Sequence, residues 1–543
     1  MIISRHSPAA SRYDAIIIGA GHNGLTCACY LARAGLKVAM FERRPIVGGA
    51  AVTEEFHPGF RNSTASYTVS LLNPQVIRDL RLAEHGLTIR ERAMQNFLPL
   101  PNGDSLSAGP GTESTLAEAR RHCPRDAERL PAYYEMLDRV VAFLRGMLRE
   151  TPPTDLRRVR DAWSALTFGN SFRRLPLETQ REVHELFTRS AGDLLDPWFE
   201  SDALKALFGF DAIVGAFQSP YTPGSAYVLL HHCFGEVNGK SGVWGHAIGG
   251  MGAITQAMAR EAERLGVHIE VEAPVKRVLV ERQRAQGIEL LDGRRIAAPR
   301  VAANTNPKLL YLNLLGPEHT PAELRARIER YRCESATLRM NVALSELPRF
   351  TARPEAGSHL QAGIIIAPSL RYMDKAWMDA RANGWSRAPI VEMLIPSTID
   401  DSLAPRGAHV ASLFCQHFAY RLPDGRTWEN EREAAADVVI DTVTQHAPNF
   451  RSSIVGRSVL TPLDLETRFG LVGGDIFHGA LGLDQLWAAR PVLGYGDYRT
   501  PVQGLYLCGA GAHPGGGVTG LPGANAAREM LRDRVRRAHR EPA

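Results

Sequence analysis

Asp14-Ala15-Ile16-Ile17-Ile18-Gly19-Ala20-Gly21-His22-Asn23-Gly24 decides the reading of this chain. Asp14–Ile18 is a short run ending in three isoleucines, as expected of a parallel strand buried on both faces. Gly19 then permits a tight bend, Gly21 lets backbone approach a pyrophosphate, and Gly24 lets the following helix pack closely on the sheet. Small and apolar residues continue at helical spacing from Asn23 to Ala34, and Gly35 ends the run like a C-terminal cap. Lys37–Phe41 reads as a second strand, which completes a βαβ unit of about 30 residues. The start of that helix offers free N–H groups and partial positive charge to phosphates. Glu42 closes the second strand 18 positions after Gly24, where an acid accepts hydrogen bonds from a ribose and disfavours a 2′-phosphate. Together these features predict a dinucleotide site.

Two further stretches narrow the ligand to FAD. In Glu42-Arg43-Arg44-Pro45-Ile46-Val47-Gly48-Gly49 a glycine pair follows the ribose acid, so the chain can cross beneath a long extended cofactor. Arg43 and Arg44 either flank the adenosine and phosphates or face solvent. Near the other end, the apolar run Gly504–Cys508 enters Gly509-Ala510-Gly511-Ala512-His513-Pro514-Gly515-Gly516-Gly517-Val518, and a helical pattern at Ala524–Leu531 follows. A loop so rich in glycine at a helix start presents N–H groups that stabilise negative charge on a reduced flavin.

The predicted fold class is α/β: a Rossmann-like FAD-binding domain of the glutathione reductase/amine oxidase type, with an interleaved α+β substrate domain. The chain visits the first unit three times, over 10–80, 240–306 and 461–540. The middle visit carries a predicted helix at Ile254–Leu265, strands at His268–Glu272, Lys276–Glu281 and Gln286–Leu291, and an Asp292-Gly293 turn into Arg294–Ala297. Residues 81–239 and 307–460 form the substrate unit. Its first part, from Pro74 to Gly224, is predicted mostly helical. Met136, Val140, Phe143 or Leu144, and Met147 form a stripe there that reads as a core face.

Bulk properties exclude other classes. The chain has 543 residues, 44% hydrophobic and 22% charged, with a net charge of +5. That small charge, with arginine spread along the chain, argues against a nucleic-acid partner. The 7 cysteines are scattered, and Cys27 and Cys29 diverge on a predicted helix, so neither a metal site nor a redox dithiol is expected. Met1–Arg12 lacks the apolar run of a secretory signal, and no stretch reads as a membrane span. These features suit a cytoplasmic protein, or a mitochondrial one in a eukaryote. The basic Arg532–Arg537 reads as a solvated helix end or as a peripheral contact with an anionic membrane. Gly235–Ser241 resembles a phosphate loop but is one residue short of the required spacing, and Asn62-Ser63-Thr64 is treated as a chance glycosylation triplet.

With Gly249-Gly250-Met251-Gly252 and Gly473-Gly474-Asp475-Ile476-Phe477-His478-Gly479, these motifs make the chain resemble the phytoene desaturase-like flavoproteins over nearly its whole length. The resemblance implies FAD bound non-covalently between the N- and C-terminal motifs. It gives Gly19, Gly21, Gly24, Glu42, Gly48 and Gly49 to the adenosine and pyrophosphate end, and His22, Asn23, Arg43, Arg44 and Ala50 in the same motifs are further cofactor-binding candidates. Val275 would meet adenine through its backbone, and Gly509, Gly511, Gly516, Gly517 and Val518 would line the ribityl and isoalloxazine end. Carotenoid desaturases usually carry Thr where this chain has Ala512, and a hydrophobic-Pro-Gly in place of Val518-Thr519-Gly520, which argues against a carotenoid substrate.

His478 and His513 are the candidate bases, each with a competing role in fixing its loop. His231 and His232 read as helix packing. A second Gly-x-Gly-x-x-Gly with a leading strand is absent, so electrons are expected to pass to oxygen, a quinone or a membrane acceptor rather than to NAD(P). The expected activity is hydride removal from an apolar or amphipathic small molecule. An amine oxidase, with Tyr67 and Phe477 flanking the flavin, and a redox-silent flavoprotein with a binding or isomerase role are the alternatives.

Overall fold

The computed structural model describes residues 12–109 and 111–538, and the side chains of 537 and 538 are not among those described. Most of the Met1–Arg12 leader and the Arg537 side chain therefore lie outside the described residues.

Five short strands form a parallel sheet in the spatial order His268–Glu270, Val38–Phe41, Ala15–Ile18, Val301–Ala303, Leu505–Leu507. Ala15–Ile18 is central and wholly buried, as its unbroken apolar run requires. The helix His22–Arg33 leaves its carboxyl end and packs against the helices Gly252–Arg264 and Leu521–Ala538. A three-stranded antiparallel meander, Val275–Glu281, Arg284–Leu290 and Arg295–Ala297, completes this unit. Cys27 and Cys29 point different ways along the first helix: Cys27 hydrogen-bonds with Cys508, and Cys29 donates to the Met258 carbonyl.

The second sheet has seven strands, in the order Ile454–Leu460, Thr337–Leu344, His409–Phe418, Trp385–Leu394, Gly363–Ile366, Asn96–Pro99, Ser105–Ala108. All neighbours are antiparallel except Gly363–Ile366 with Asn96–Pro99. One face packs on the helix Trp428–His446 through Leu413, Cys415, Val439 and Val443. The other carries Phe414, Ile390 and Ile365 toward the helices Pro124–Arg145, Asp202–Asp211 and Ser225–His232.

The run from Pro74 to Gly224 is mostly helical, as expected, and holds three short strands besides. Asn96–Pro99 and Ser105–Ala108 are a hairpin that closes one edge of the second sheet, and Ile89–Glu91 pairs with Gly245–Ala247. Pro99 is tolerated because it sits at a strand end near that edge. Met136, Val140 and Leu144 are buried as a core face. Gly235–Ser241 is a small hairpin, Glu236–Val237 against Lys240–Ser241, turning through Asn238-Gly239 with both φ positive.

Candidate active site

Two loops are sewn together over the end of the central strand. The Gly48 N–H donates to the Ala20 carbonyl at 2.8 Å, and Gly48 bridges to Gly21. A Cβ on Gly24 would stand 2.3 Å from the Gly19 oxygen, so helix and strand approach more closely than any side chain permits. Gly21 caps the helix with no side-chain acceptor, which leaves first-turn N–H groups for a ligand. In the same turn His22 Nε2 and Asn23 Oδ1 are buried without a partner.

Glu42 is buried, and each of its oxygens is held from the backbone: Ala20 N–H donates at 2.8 Å and Arg44 N–H at 2.9 Å. A carboxylate accepts about four hydrogen bonds, so two positions remain for a pair of ribose hydroxyls. Arg44 pairs with Glu54 at 2.8 Å and lies 4.7 Å over Phe469, which braces the glycine pair. Arg43 is exposed and donates to the Thr467 carbonyl. Ala50 accepts from Ser66 N–H. Val275 begins the meander, and Ala273 N–H donates to the Glu42 carbonyl just before it, which carries Val275 to the Glu42 end.

The second glycine loop meets the first through a residue that sequence reasoning missed. Asn304 ends the strand Val301–Ala303, and its side chain would touch a Cβ placed on Gly21 (2.8 Å), Gly24 (2.9 Å) or Gly509 (3.1 Å). A Cβ on Gly511 would strike Pro307 at 2.3 Å, and one on Gly516 would strike Phe477 at 2.6 Å. Val518 has φ of 59°, a left-handed conformation rare for a β-branched residue and a mark of strain at a functional loop.

Arg490 is a second missed residue. It is fully buried and donates to the carbonyls of Phe477, Gly479, Ala480, Gln485 and Ala510, clamping the Gly473–Gly479 loop to the Gly509 loop. Asp475 accepts from Phe477 N–H and the Ser335 hydroxyl, and burial pushes its carboxyl up to about 6.

The two proposed bases are placed differently. His513 Nε2 is spent on the Met147 carbonyl at 2.9 Å, its ring packs edge-on to Trp487, and burial pushes it down to about 3. His478 accepts Tyr331 through its carbonyl, and burial of its ring, with Arg490 nearby, pushes it down to about 4. Groups of such low proton affinity are poor matches for proton abstraction near neutrality. His231 lies closer to the C-terminal loop: a Cβ on Gly517 would stand 3.5 Å from its Nε2, and Phe477 packs 5.5 Å from its ring.

The second sheet supplies a polar spot that no local motif announces. The Tyr67 hydroxyl donates to Glu392, Arg339 lies 4.4 Å over the Tyr67 ring, and Arg92 donates to Thr68. Among the described residues no group of three His, Cys, Asp or Glu is arranged to hold a metal, and no helix is long and apolar enough to cross a membrane.

A glycine cradle, a buried ribose acid with spare lone pairs and unpartnered buried atoms at a helix start define a flavin-binding oxidoreductase. The chain belongs to the flavin containing amine oxidoreductase family, whose pattern matches residues 24–338. It is 42% identical to pyridine nucleotide-disulfide oxidoreductase domain-containing protein 2 of Rattus norvegicus, across 96% of this chain and 94% of that one. A phytoene desaturase (lycopene-forming) of Pseudescherichia vulneris is 26% identical, across 93% and 96%. Cyclohexylamine oxidase from Brevibacterium oxydans shares the fold, with a TM-score of 0.57 at 14% identity, covering 96% of this chain and 99% of that one. The protein is an FAD-dependent oxidoreductase with the amine oxidase-like fold. The residues present fit FAD: Gly19–Gly24, Glu42 and Gly48-Gly49 would hold one end and the Gly509–Val518 loop the other.

Proposed function

We propose that the protein is a dehydrogenase that removes a hydride and a proton from an amphipathic organic molecule. Bound FAD supplies a two-electron acceptor, and the substrate loses two C–H bonds and gains a C=C bond. The observation that carries this reading is the inner face of the second sheet. It is apolar at Phe414, Ile390 and Ile365 and charged only at one compact spot. An apolar face with one charged spot matches the two-part chemistry of an amphipathic molecule. An amine, the substrate of the main rival reading, would meet two buried guanidiniums at that spot. The phytoene desaturase relative supports C–H over C–N chemistry, while Ala512 and Val518-Thr519-Gly520 speak against a carotenoid. Anaerobic exposure of the purified holoprotein to alkane-chain acids, alkenes and amines tests the reading through bleaching of the flavin. If dithionite bleaches it and no organic pool does, the reading falls, and a redox-silent role replaces it.

We further propose peripheral membrane contact, through the helix Val159–Arg173 rather than the C-terminal arginines alone. Val159, Trp163 and Leu166 recur on one face and are 87%, 71% and 68% exposed. Exposed arginines at Arg157, Arg158, Arg173 and Arg174 flank them and complement anionic lipid. Sedimentation with phosphatidylglycerol vesicles, lost in Trp163→Glu and absent with phosphatidylcholine, is the expected result. We also propose a reducing compartment, the cytoplasm or, in a eukaryote, a mitochondrion; the scattered cysteines, without a Cys-x-x-Cys, support it.

A further inference from the structure

Three strands of the second sheet set Arg339, Phe414 and Glu392 side by side, since Arg339 pairs with Phe414 and Phe414 with Glu392 in register. Arg92 reaches the same spot from the segment after Ile89–Glu91, and Tyr67 covers the row, stacked on Phe414 at 5.2 Å. Arg92, Arg339 and Glu392 are all buried.

The charges at this spot do not balance. Two guanidiniums face one carboxylate. The next acid, Asp211, is pushed up to about 8 by burial and by the Glu392 charge, so it is uncharged at neutral pH. His232 is held on the Val228 carbonyl and pushed down to about 4 by burial, and His231 is pushed down to about 3, so neither ring adds a charge. One positive charge is left without a counter-charge in a low-dielectric interior, a strongly unfavourable state unless a ligand completes it. A second observation points the same way. Arg339 is oriented by the Leu413 carbonyl and the Ser412 hydroxyl, each at 2.7 Å, yet its Nε is buried with no acceptor. On the same face Gln416 Nε2, also buried, has none. Unmet charge and unmet donors together call for an acceptor-only, negatively charged group.

Three rings in series, Trp244, His232 and His231, link the spot to the cofactor loop. Arg92 lies 6.0 Å over Trp244, Trp244 stacks 6.1 Å from His232, and the neighbouring His231 borders Gly517.

We propose that Arg339 and Arg92 form a subsite for the carboxylate of an amphipathic organic acid, the substrate class of this oxidoreductase. This rests on the dehydrogenase reading above and deepens it. Phe414, Ile390 and Ile365 make the sheet face beside these charges apolar. Glu392 lowers the site's affinity for anions and sets its preference for a single negative charge.

Equilibrium dialysis of the FAD-loaded protein against radiolabelled octanoate tests this, with octanamide and octylamine as size-matched controls. Octanoate is expected to bind saturably and at least about tenfold more tightly than octanamide, and octylamine not at all. Arg339→Gln should weaken octanoate by about tenfold or more. Glu392→Gln keeps an acceptor for Tyr67, removes the opposing charge and should tighten octanoate several-fold. It carries the test if the arginine variant does not fold. Equal binding of octanamide, preference for octylamine, or weaker octanoate binding in Glu392→Gln overturns the proposal. So does an Arg339→Gln protein whose flavin midpoint potential shifts while octanoate binding does not, because the charge would then serve the flavin. The dialysis needs no turnover. A protein that binds octanoate but is bleached by no organic pool keeps the subsite and loses the dehydrogenase reading, whereas bleaching by neutral alkenes without octanoate binding does the reverse.

Discussion

The two sheets build their halves of the site from different materials. On the parallel sheet the cofactor side is made of backbone: glycines, N–H groups at a helix start, and one acid held by two backbone donors. On the second sheet the charged spot proposed to meet the substrate is made of side chains, with Tyr67, Arg92, Arg339 and Glu392 arriving from four separate segments. A backbone site tolerates almost no change of residue at its contact points but needs little from elsewhere. A side-chain site changes its ligand with a few substitutions while its strands stay paired. A fold divided in this way can keep its cofactor site while its side-chain site varies.

Releasing the clamp on the cofactor loop should cost most. Arg490→Met strands five carbonyls that now share one guanidinium. A loss of about 4 kcal/mol or more in folding stability is expected, with release of flavin, read by chemical denaturation and by FAD retained after gel filtration. Next comes Gly24→Ala, whose new Cβ would lie 2.3 Å from the Gly19 oxygen. It should raise the Kd for FAD about a hundredfold, roughly 3 kcal/mol, while octanoate binding at the far sheet is tested separately.

A pH experiment sharpens the comparison at the shared loop. The folded Asp475 carboxyl titrates near 6, above its usual 3.8, because it is buried. Its contribution is whole below about pH 4 and is lost as pH rises through 6, a cost of about 3 kcal/mol. Asp475→Asn should flatten that part of the stability–pH curve, and a parallel slope in wild type and variant would refute the assignment. The smallest effect is expected of Glu42→Gln, which keeps an acceptor but loses the charge and one lone-pair position. FAD should bind about tenfold more weakly, a difference of about 1.4 kcal/mol measurable by flavin fluorescence on dilution.

What could be read from the sequence follows the same division. The cofactor half lies in contiguous stretches, Gly19–Gly24, Glu42–Gly49 and Gly509–Val518, where spacing alone carries meaning. Asn304 left a usable trace, since an apolar strand ending in Asn304-Thr305-Asn306-Pro307 repeats the strand-into-loop pattern of the first turn. Arg490 left none, because a side chain that satisfies distant carbonyls obeys no period. The Asn96–Ala108 hairpin had a turn signal at Asn102-Gly103, but its strands of four residues are too short to outweigh the helical pattern around them. The glycine-rich surroundings of His513 suggested chemistry, while the fold uses its ring to hold a backbone carbonyl of the helical segment. The charged row on the second sheet depends on strand register, which no single segment encodes.

The central strand has a consequence for biosynthesis. Ile16–Ile18 is flanked on one side by Val301–Ala303, and that strand in turn by Leu505–Leu507. At ribosomal speeds of roughly 5–20 residues per second, something on the order of half a minute to a minute and a half passes between the emergence of the first and last of these strands. Until the last strand emerges the sheet lacks its edge and the second glycine loop is missing, so the full cradle closes only at the end of synthesis.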